Sequence, residues 1–138
     1  MPRIIISLTA IILLLALSAC ASNRAKDSLT SNLLDYAAAI RWNEIDVAWA
    51  FVAPEFRENN PLSDLERERY KQIQFTNYEV KSTASPGEGR LHRVIELRFI
   101  NRHTQIERTL RINEHWQWHE DSKRWWLSNG LPDISHSQ

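Results

Sequence analysis

Apolar residues recur with a helical period in the first half of the chain. One set is spaced at three and four residues: Leu29, Leu33, Tyr36, Ala37 and Ile40. This spacing predicts a first helix from about Leu29 to Arg41, with Asp27 or Ser28 as its cap. A second helix is predicted from about Glu44 to Ala53, because the same period continues there and Pro54 follows as a stop signal.

A third, short helix is indicated by a capping box. Ser63 is followed three residues later by Glu66, and charged residues continue to Gln72. In this motif the serine side chain accepts a hydrogen bond from the backbone of the glutamate, whose side chain accepts one from the backbone of the serine. The sequence therefore predicts three helices in its first half.

In the second half of the chain the period changes to two, as in strands with one buried face. Turn-forming residues at Pro86 to Gly89, Asn101 to Thr104 and Glu120 to Lys123 divide this part into four strands. Loops at these positions pair apolar residues on one face: Val80 with Ile95, Tyr78 with Leu97, Phe99 with Ile106, Ile95 with Leu110, Trp118 with Trp125 and Trp116 with Leu127. On the other face they place Arg98 opposite Glu107. We expect an α+β domain, with three N-terminal helices packed on a curved four-stranded antiparallel meander.

Length and charge narrow the classes of function. The chain has 138 residues, enough for one ordinary domain, and its 17 basic side chains balance 17 acidic ones. A nucleic-acid-binding protein normally carries a basic excess or a basic stripe, so no nucleic acid is expected as a partner. The single cysteine, Cys20, excludes an intramolecular disulfide and a cysteine-based metal cluster.

Cys20 ends a segment that has the organisation of a signal peptide. Arg3 precedes an apolar run from Ile4 to Leu17, and two small residues lie directly before the cysteine. The run is shorter than the roughly 17 to 25 residues that a transmembrane helix needs. The sequence Leu17-Ser18-Ala19-Cys20 resembles the lipobox of bacterial lipoproteins, in which the signal peptide is removed and the cysteine is acylated.

This resemblance implies the organisation of the whole chain. Residues 1–19 would be the signal peptide, and residues 20–27 the acylated cysteine with a short tether to the lipid bilayer. Ala21 and Ser22 follow the cysteine where an aspartate would commonly retain a lipoprotein at the inner membrane, so the periplasmic face of the outer membrane is the expected location. The folded domain is expected over residues 28–131 and a C-terminal tail over residues 132–138.

The order of elements resembles the NTF2-like superfamily, whose members share the cystatin-like cone. The resemblance covers roughly Ser28 to Leu131. It rests on the first helix, a second helix ending in Phe51-Val52-Ala53-Pro54, a short third helix and long hairpins ending in Trp125-Trp126-Leu127. It implies a sheet that wraps around the first helix. The mouth of such a cone holds a ligand, an active site or nothing, and many members dimerise through the outer sheet face.

Three charged residues interrupt the apolar face of the predicted sheet: Arg93, Arg108 and Glu114. Burying an unpaired charge is costly, so each must pair, reach the cone mouth or contact a ligand. The favoured interpretation is an internal ion pair, or side chains that extend to the sheet edge. The alternative is a ligand site that these three residues form with Tyr78. Arg108, expected opposite Leu97, is the most suggestive of them.

The opposite face carries a candidate partner-binding patch made of Arg111, His115, Gln117 and Trp126. The simpler interpretation is solvated sheet surface with one partly exposed tryptophan. His115 and His119 are not expected to share a zinc ion, because four residues along a strand separate them by about 13 Å. Neither a metal nor another cofactor is therefore expected.

Three functions remain open. The favoured one is a non-enzymatic envelope lipoprotein that binds a protein partner or a small apolar ligand. The second is a periplasmic isomerase or hydrolase that uses a cone cavity lined by Arg108 and Tyr78, although neither Asp35 nor Asp46 lies on a predicted inward face and the sequence has no phosphate-binding glycine loop, nucleophile elbow or His-Glu-x-x-His motif. The third is a structural or assembly subunit that forms a homodimer through its sheet.

Overall fold

The described part of the chain is an α+β domain in which helices precede a four-stranded antiparallel sheet. The computed structural model describes residues 25–136. The predicted signal peptide, Cys20 and the first residues of the predicted tether lie outside the described residues, as do residues 137–138. Among residues 25–136, every helix is too short or too polar to cross a bilayer.

Four helices are described, one more than the sequence predicts. Helix α1 covers residues 25–41, α2 is Ile45–Trp49, α3 is Pro54–Asn59 and α4 is Asp64–Lys71. The additional helix is α3. Pro54 stands at its first position, where the missing proline N–H has no helical partner to lose. Pro54, predicted as a stop signal for the helix before it, therefore begins a helix of its own.

The start of α4 and the end of α2 are determined by different interactions. Ser63 caps α4, and both halves of the predicted capping box with Glu66 are present. Helix α2 is shorter than predicted because the chain after it pairs with the last strand. The backbone of Leu127 donates to Phe51 O and accepts from Ala53 N, at 2.9 Å in each case.

The sheet has the order β1-β2-β3-β4, so each strand lies beside its neighbour in sequence. Its strands are β1 (Ile73–Gly87), β2 (Arg90–Asn101), β3 (Glu107–His119) and β4 (Arg124–Leu127). A short 3-10 helix, Ile134–His136, follows the sheet. The predicted α+β class with a four-stranded antiparallel meander is confirmed.

Two of the three predicted strand registers are confirmed in their central pairs. These pairs are Val80–Ile95, Tyr78–Leu97, Trp118–Trp125 and Trp116–Leu127. The predicted register of β2 with β3 is wrong by two residues. Phe99 lies opposite Arg108, and Arg98 lies opposite Thr109 and not Glu107. A shift of two residues keeps every side chain on its predicted face, because side chains alternate along a strand.

The β1–β2 turn is also shorter than predicted. It contains only Glu88 and Gly89, and Gly89 adopts a φ of 67° that favours glycine. Bulges in β1 between Ala84 and Gly87 and between Val80 and Ser82 then shift the pairing back. The central pairs are therefore as predicted although the turn is not.

The core lies between α1 and one face of the sheet, called the inner face below. Tyr36 and Ile40 of α1 are fully buried with Ile95 and Leu97 of β2 and with Trp116 of β3. The rings of Tyr36 and Trp116 meet edge to face with their centroids 5.3 Å apart. This packing orients the inner-face side chains of β2 and β3 toward the helix.

One asparagine joins the helices to the sheet. Asn43 has a φ of 57°, a left-handed conformation that asparagine tolerates better than most residues. Its Nδ2 donates to the carbonyls of Tyr70 and Ile73, and its Oδ1 accepts from the backbone N–H of Phe75, each at 3.0 Å. A single side chain from the loop after α1 thus contacts the end of α4 and the start of β1.

Candidate functional site

The inner face carries a compact polar cluster made of Tyr78, Arg93, Glu114 and Trp116, called the inner cluster below. Arg93 and Glu114 lie directly opposite each other in the β2–β3 register. Tyr78 reaches them from β1, and Trp116 follows Glu114 by two residues on the same face of β3. Three adjacent strands therefore place these side chains together.

The carboxylate of Glu114 is the centre of the inner cluster. Its Oε1 accepts a hydrogen bond from the hydroxyl of Tyr78, and its Oε2 accepts one from Trp116 Nε1 at 3.0 Å. Arg93 Nη1 lies 3.6 Å from Oε2, and the Arg93 guanidinium stands 5.8 Å from the centre of the Tyr78 ring. Both carboxylate oxygens are thus engaged by neighbours from the same chain.

Burial sets the ionisation of these groups. It raises the pKa of Glu114, while the hydrogen bonds from Tyr78 and Trp116 and the charge of Arg93 act in the opposite direction. Burial also raises the pKa of Tyr78, and the Glu114 charge raises it further. The pKa of Tyr36, which lies nearby in the core, rises for the same two reasons. The phenols therefore stay neutral and Tyr78 remains a hydrogen-bond donor.

Three members of the inner cluster are closed to solvent, whereas Tyr78 is half-buried. Glu114 is 1% exposed, Arg93 is 7% exposed and Trp116 is fully buried. Two of the three buried polar atoms that have no hydrogen-bond partner among the described residues lie here, the Tyr36 hydroxyl and Arg93 Nη1. The internal ion pair favoured from the sequence is present for Arg93 and Glu114. A ligand could contact Arg93, Glu114 or Trp116 only after the core had opened.

Arg108 lies apart from the inner cluster. It is opposite Phe99, and not opposite Leu97 as expected, because of the two-residue shift in register. Its side chain is exposed and lines a groove of about 300 Å³ with Arg69, Ile73 and Phe99. Tyr78 does not line this groove. The structure therefore brings together three of the four residues of the predicted ligand site.

The outer face of the sheet holds the four residues of the predicted partner-binding patch. Arg111 is exposed, and its Nη2 lies 3.5 Å from Glu96 Oε2. Gln117 is also exposed and pairs with Trp126 of β4. His115 stacks on His92 of β2, with ring centroids 4.2 Å apart. Burial and the neighbouring His92 lower the pKa of His115.

Trp126 is buried, so the expectation of a partly exposed tryptophan on this face is wrong. Its ring is covered by the guanidinium of Arg124, which lies 4.4 Å from the ring centre and two residues earlier on the same strand. Its Nε1 donates to Ser122 Oγ at 3.1 Å. The outer patch is therefore formed by the exposed or half-exposed polar residues Arg111, His115 and Gln117.

A cavity that the sequence does not predict lies beside α3 and α4. It has a volume of about 370 Å³ and is bounded by the two helices and by residues 129–135. Its apolar wall is formed by Trp49, Phe56 and Leu62, while Glu66 and Arg69 contribute charged groups. The hydrophobic pattern does not predict this cavity, because part of its wall comes from α3, a helix that the pattern does not predict either. Pro54 followed by Glu55, Phe56 and Arg57 is the signal for that helix.

Metal binding finds no support in the part of the chain that the structure describes. Within residues 25–136, histidine, cysteine, aspartate and glutamate side chains nowhere form a group of three or more that could hold a metal ion. His115 and His119 both lie on β3, four positions apart.

Comparisons with known proteins add no family to these observations. No protein-family model matches the sequence, and no curated protein matches it significantly.

Proposed function

We propose that this chain is a bacterial envelope lipoprotein, held on the periplasmic face of the outer membrane by acylated Cys20. In this proposal its domain has the NTF2-like fold and binds a protein partner through the outer patch, without catalysing a reaction. The observation that carries the binding role is the contrast between the two sheet faces. On the inner face Arg93, Glu114 and Trp116 are buried and the Glu114 carboxylate is engaged, whereas Arg111 and Gln117 on the outer face are exposed.

The anchor is supported by the sequence before the domain and by the place where the domain begins. The lipobox-like segment ends at Cys20, and α1 is already present at residue 25. Trp125 Nε1 donates to the carbonyl of Ala25 at 2.9 Å, which ties the first described residue to β4. Five residues span at most about 18 Å when fully extended. Acylation of Cys20 would therefore hold the domain close to the bilayer.

The NTF2-like fold is supported by the position of α1 and by the irregularity of β1. Helix α1 packs its buried residues against the inner face of the sheet. Strand β1 contains three register shifts, and bulges of this kind bend a strand and increase its twist. A sheet that bends around its first helix is what the resemblance implies.

The absence of catalysis is supported by how Glu114 is used. A general base must lie within hydrogen-bond reach of a substrate, yet Glu114 is 1% exposed and each oxygen of its carboxylate already accepts a hydrogen bond from the same chain. Arg108 and Tyr78, the substrate contacts of the enzymatic hypothesis, do not line one groove. In this proposal the Glu114 carboxylate stabilises the core and takes no part in a reaction.

A small apolar ligand is a second candidate, and the cavity beside α3 favours it. Its volume lies within the range of small-molecule sites, and its wall combines aromatic residues with a few polar groups. Replacing Leu62→Arg should abolish binding of an apolar fluorescent dye to this cavity, with Leu65→Arg on the exposed side of α4 as the matched control. Equal dye binding by both variants would exclude the cavity as the ligand site.

The anchor is tested by metabolic labelling in a bacterial host. The unaltered chain should incorporate labelled palmitate and sediment with outer membranes. Cys20→Ser should lose the label and appear in the soluble fraction, because this chain has no second cysteine to acylate. Retention of the label by Cys20→Ser would contradict the proposed anchor.

The binding surface is tested by site-specific photo-crosslinking in intact envelopes. A crosslinking residue at Gln117 should yield a defined adduct with a second protein, and one at Glu68 on α4 should not. Adding Arg111→Glu to the Gln117 probe should reduce the yield, because it reverses the charge of the patch. An adduct with a second copy of this chain would favour the homodimer. Equal adducts at Gln117 and Glu68 would contradict a specific outer patch.

A further inference from the structure

One end of the sheet gathers the start of α1, the β1–β2 turn and the β3–β4 turn. Trp125 Nε1 donates to Ala25 O, and Trp118 N donates to Gly89 O, each at 2.9 Å. The rings of Trp118 and Trp125 lie 5.9 Å apart. We call this region the tryptophan end, defined by Ala25, turn residues 88–89, Trp118, turn residues 120–123 and Trp125.

The length of chain before Ala25 fixes which part of the domain can meet a bilayer. The chain from Cys20 to Ala25 can span at most about 18 Å, whatever its conformation. Strand β2 has 12 residues and rises about 3.3 Å per residue, so the turn at residues 102–106 lies about 40 Å from the tryptophan end. Only the tryptophan end is within easy reach of an anchor at Cys20.

We propose that the tryptophan end rests on the lipid headgroups of the bilayer, with the strands standing away from the membrane. This inference rests on the proposed anchor at Cys20. The occupant of the surface is a bilayer, because the chain that would carry the acyl groups enters the domain at this end. The outer patch then faces sideways, where a protein partner in the periplasm can reach it.

The side chains at this end suit a lipid interface. Trp118 is half-exposed, and its Nε1 donates to Glu120 Oε2 at 2.6 Å, so the ring presents an apolar body with a satisfied polar edge. Tryptophan rings favour the headgroup region of bilayers for this reason. Lys123 and Glu120 form an ion pair on the same turn. The aromatic group is therefore available without an uncompensated charge beside it.

Among the described residues, the charges around the tryptophan end balance, and Arg24 directly before Ala25 in the sequence adds one basic side chain. Four basic residues and four acidic residues lie at or beside its turns and the start of α1: Lys26, Arg90, Lys123 and Arg124, and Asp27, Glu88, Glu120 and Asp121. Contact with lipid should therefore depend little on anionic lipids, which attract clusters of basic residues. Independence from anionic lipids distinguishes the expected contact from electrostatic adsorption to the membrane.

The single cysteine allows a direct test that does not depend on acylation in a cell. The chain from Cys20 to Gln138 contains every described residue, and its only thiol can be coupled to a maleimide lipid in phosphatidylcholine vesicles. Backbone hydrogen exchange is then compared between the coupled protein and the same protein with a capped thiol. Exchange at residues 88–89 and 120–123 should slow by about threefold or more, while residues 102–106 should be unchanged.

Vesicles with added phosphatidylglycerol should give the same protection. Protection of residues 102–106, or of no turn at all, would overturn the inference. Protection that appears only at high protein density on the vesicle would assign the surface to a second copy of this chain and overturn it as well. Failure of palmitate labelling at Cys20 would instead contradict the anchor, so the two failures are distinguishable.

Fluorescence quenching by brominated lipids supplies a second readout with a matched control. Trp42 is 78% exposed at the opposite end of α1, about 25 Å from Ala25. In coupled protein, Trp118→Phe should lower the quenched fraction of the total tryptophan emission. Trp42→Phe should raise it, because it removes an emitter that the quencher does not reach. A lower quenched fraction in Trp42→Phe would overturn the proposed orientation.

Discussion

Two glutamates of the β2–β3 hairpin each meet an arginine across the same pair of strands. Glu114 on the inner face lies opposite Arg93, and Glu96 on the outer face lies opposite Arg111. Glu114 is 1% exposed and accepts hydrogen bonds from two neutral donors. The side chain of Glu96 is 16% exposed and lies within 4.0 Å of three cations, Lys81, Arg98 and Arg111.

From this difference we expect that burial, more than the number of partners, decides how much an ion pair contributes to stability. The outer cations are one-third exposed or more, so water can replace any one of them around Glu96. Water has no such access to Arg93 and Glu114. Removing one partner of a buried pair leaves the other charged and unsolvated, which is far more costly than the pair itself is stabilising.

The largest expected effect is loss of the fold at alkaline pH, and it belongs to the inner side of the sheet. Burial raises the pKa of all three tyrosines, Tyr36, Tyr70 and Tyr78, above that of the unfolded chain. Their contribution to stability is fully present below about pH 10 and is lost as pH rises above it. Tyrosinate absorbance should therefore appear together with the loss of circular dichroism. Absorbance that rises while the dichroism is intact would show that the tyrosines are not buried.

Glu114→Gln should give the largest effect among single substitutions. The new amide turns a donor group toward Arg93, Tyr78 or Trp116, all of which are donors themselves, and leaves Arg93 buried without a counter-charge. We expect the free energy of unfolding at neutral pH to fall by about 3 to 5 kcal/mol. Urea unfolding followed by tryptophan fluorescence measures the change. A loss below about 1 kcal/mol would place Glu114 in the same class as an exposed ion pair.

Tyr78→Phe should have an intermediate effect. The substitution keeps the ring beside Arg93 and removes only the hydroxyl that donates to Glu114 Oε1. Hydrogen bonds to charged groups contribute about 1.5 to 3 kcal/mol, and the free energy of unfolding should fall by that amount. The effect should be much smaller in a Glu114→Gln background, where the carboxylate is already gone. Additive losses in the double variant would mean that the two side chains act independently.

Glu96→Gln should have the smallest effect, about 0 to 1 kcal/mol, and added salt should reduce it further. The same urea experiment at low and high ionic strength measures it. This substitution is the matched control for Glu114→Gln, since both change a glutamate that faces an arginine across β2 and β3. A loss as large as that of Glu114→Gln would remove the distinction between the two faces.

The faces of the strands were predictable from the sequence, but the partners across them were less so. Alternation places Arg93 and Glu114 on the inner face in both the predicted and the observed register, because the two registers differ by two residues. The pair itself depends on the five-residue loop at 102–106. In that loop Gln105 has a φ of 58° and the Asn101 side chain accepts from two backbone N–H groups. Apolar patterning does not encode that geometry.

The hydrogen bonds of the inner cluster could also not be predicted from the sequence. They depend on Tyr78 crossing from β1 to Glu114 and on Trp116 turning its Nε1 back along its own strand. The two β1 bulges next to the turn could not be predicted from the sequence either. Together they compensate for a turn that is two residues shorter than predicted. The pairs at Val80 and Tyr78 therefore agree with the prediction although the turn beside them is shorter than predicted.

Asn43 has a consequence for how the domain comes apart. Its three hydrogen bonds reach the end of α4 and the first residues of β1, from a loop that follows α1. Opening either the helices or the sheet alone would leave its amide and the groups it contacts without partners. We expect the helical and sheet parts to unfold as one cooperative unit. Separate fragments cut between α4 and β1 should then become structured only when they are mixed.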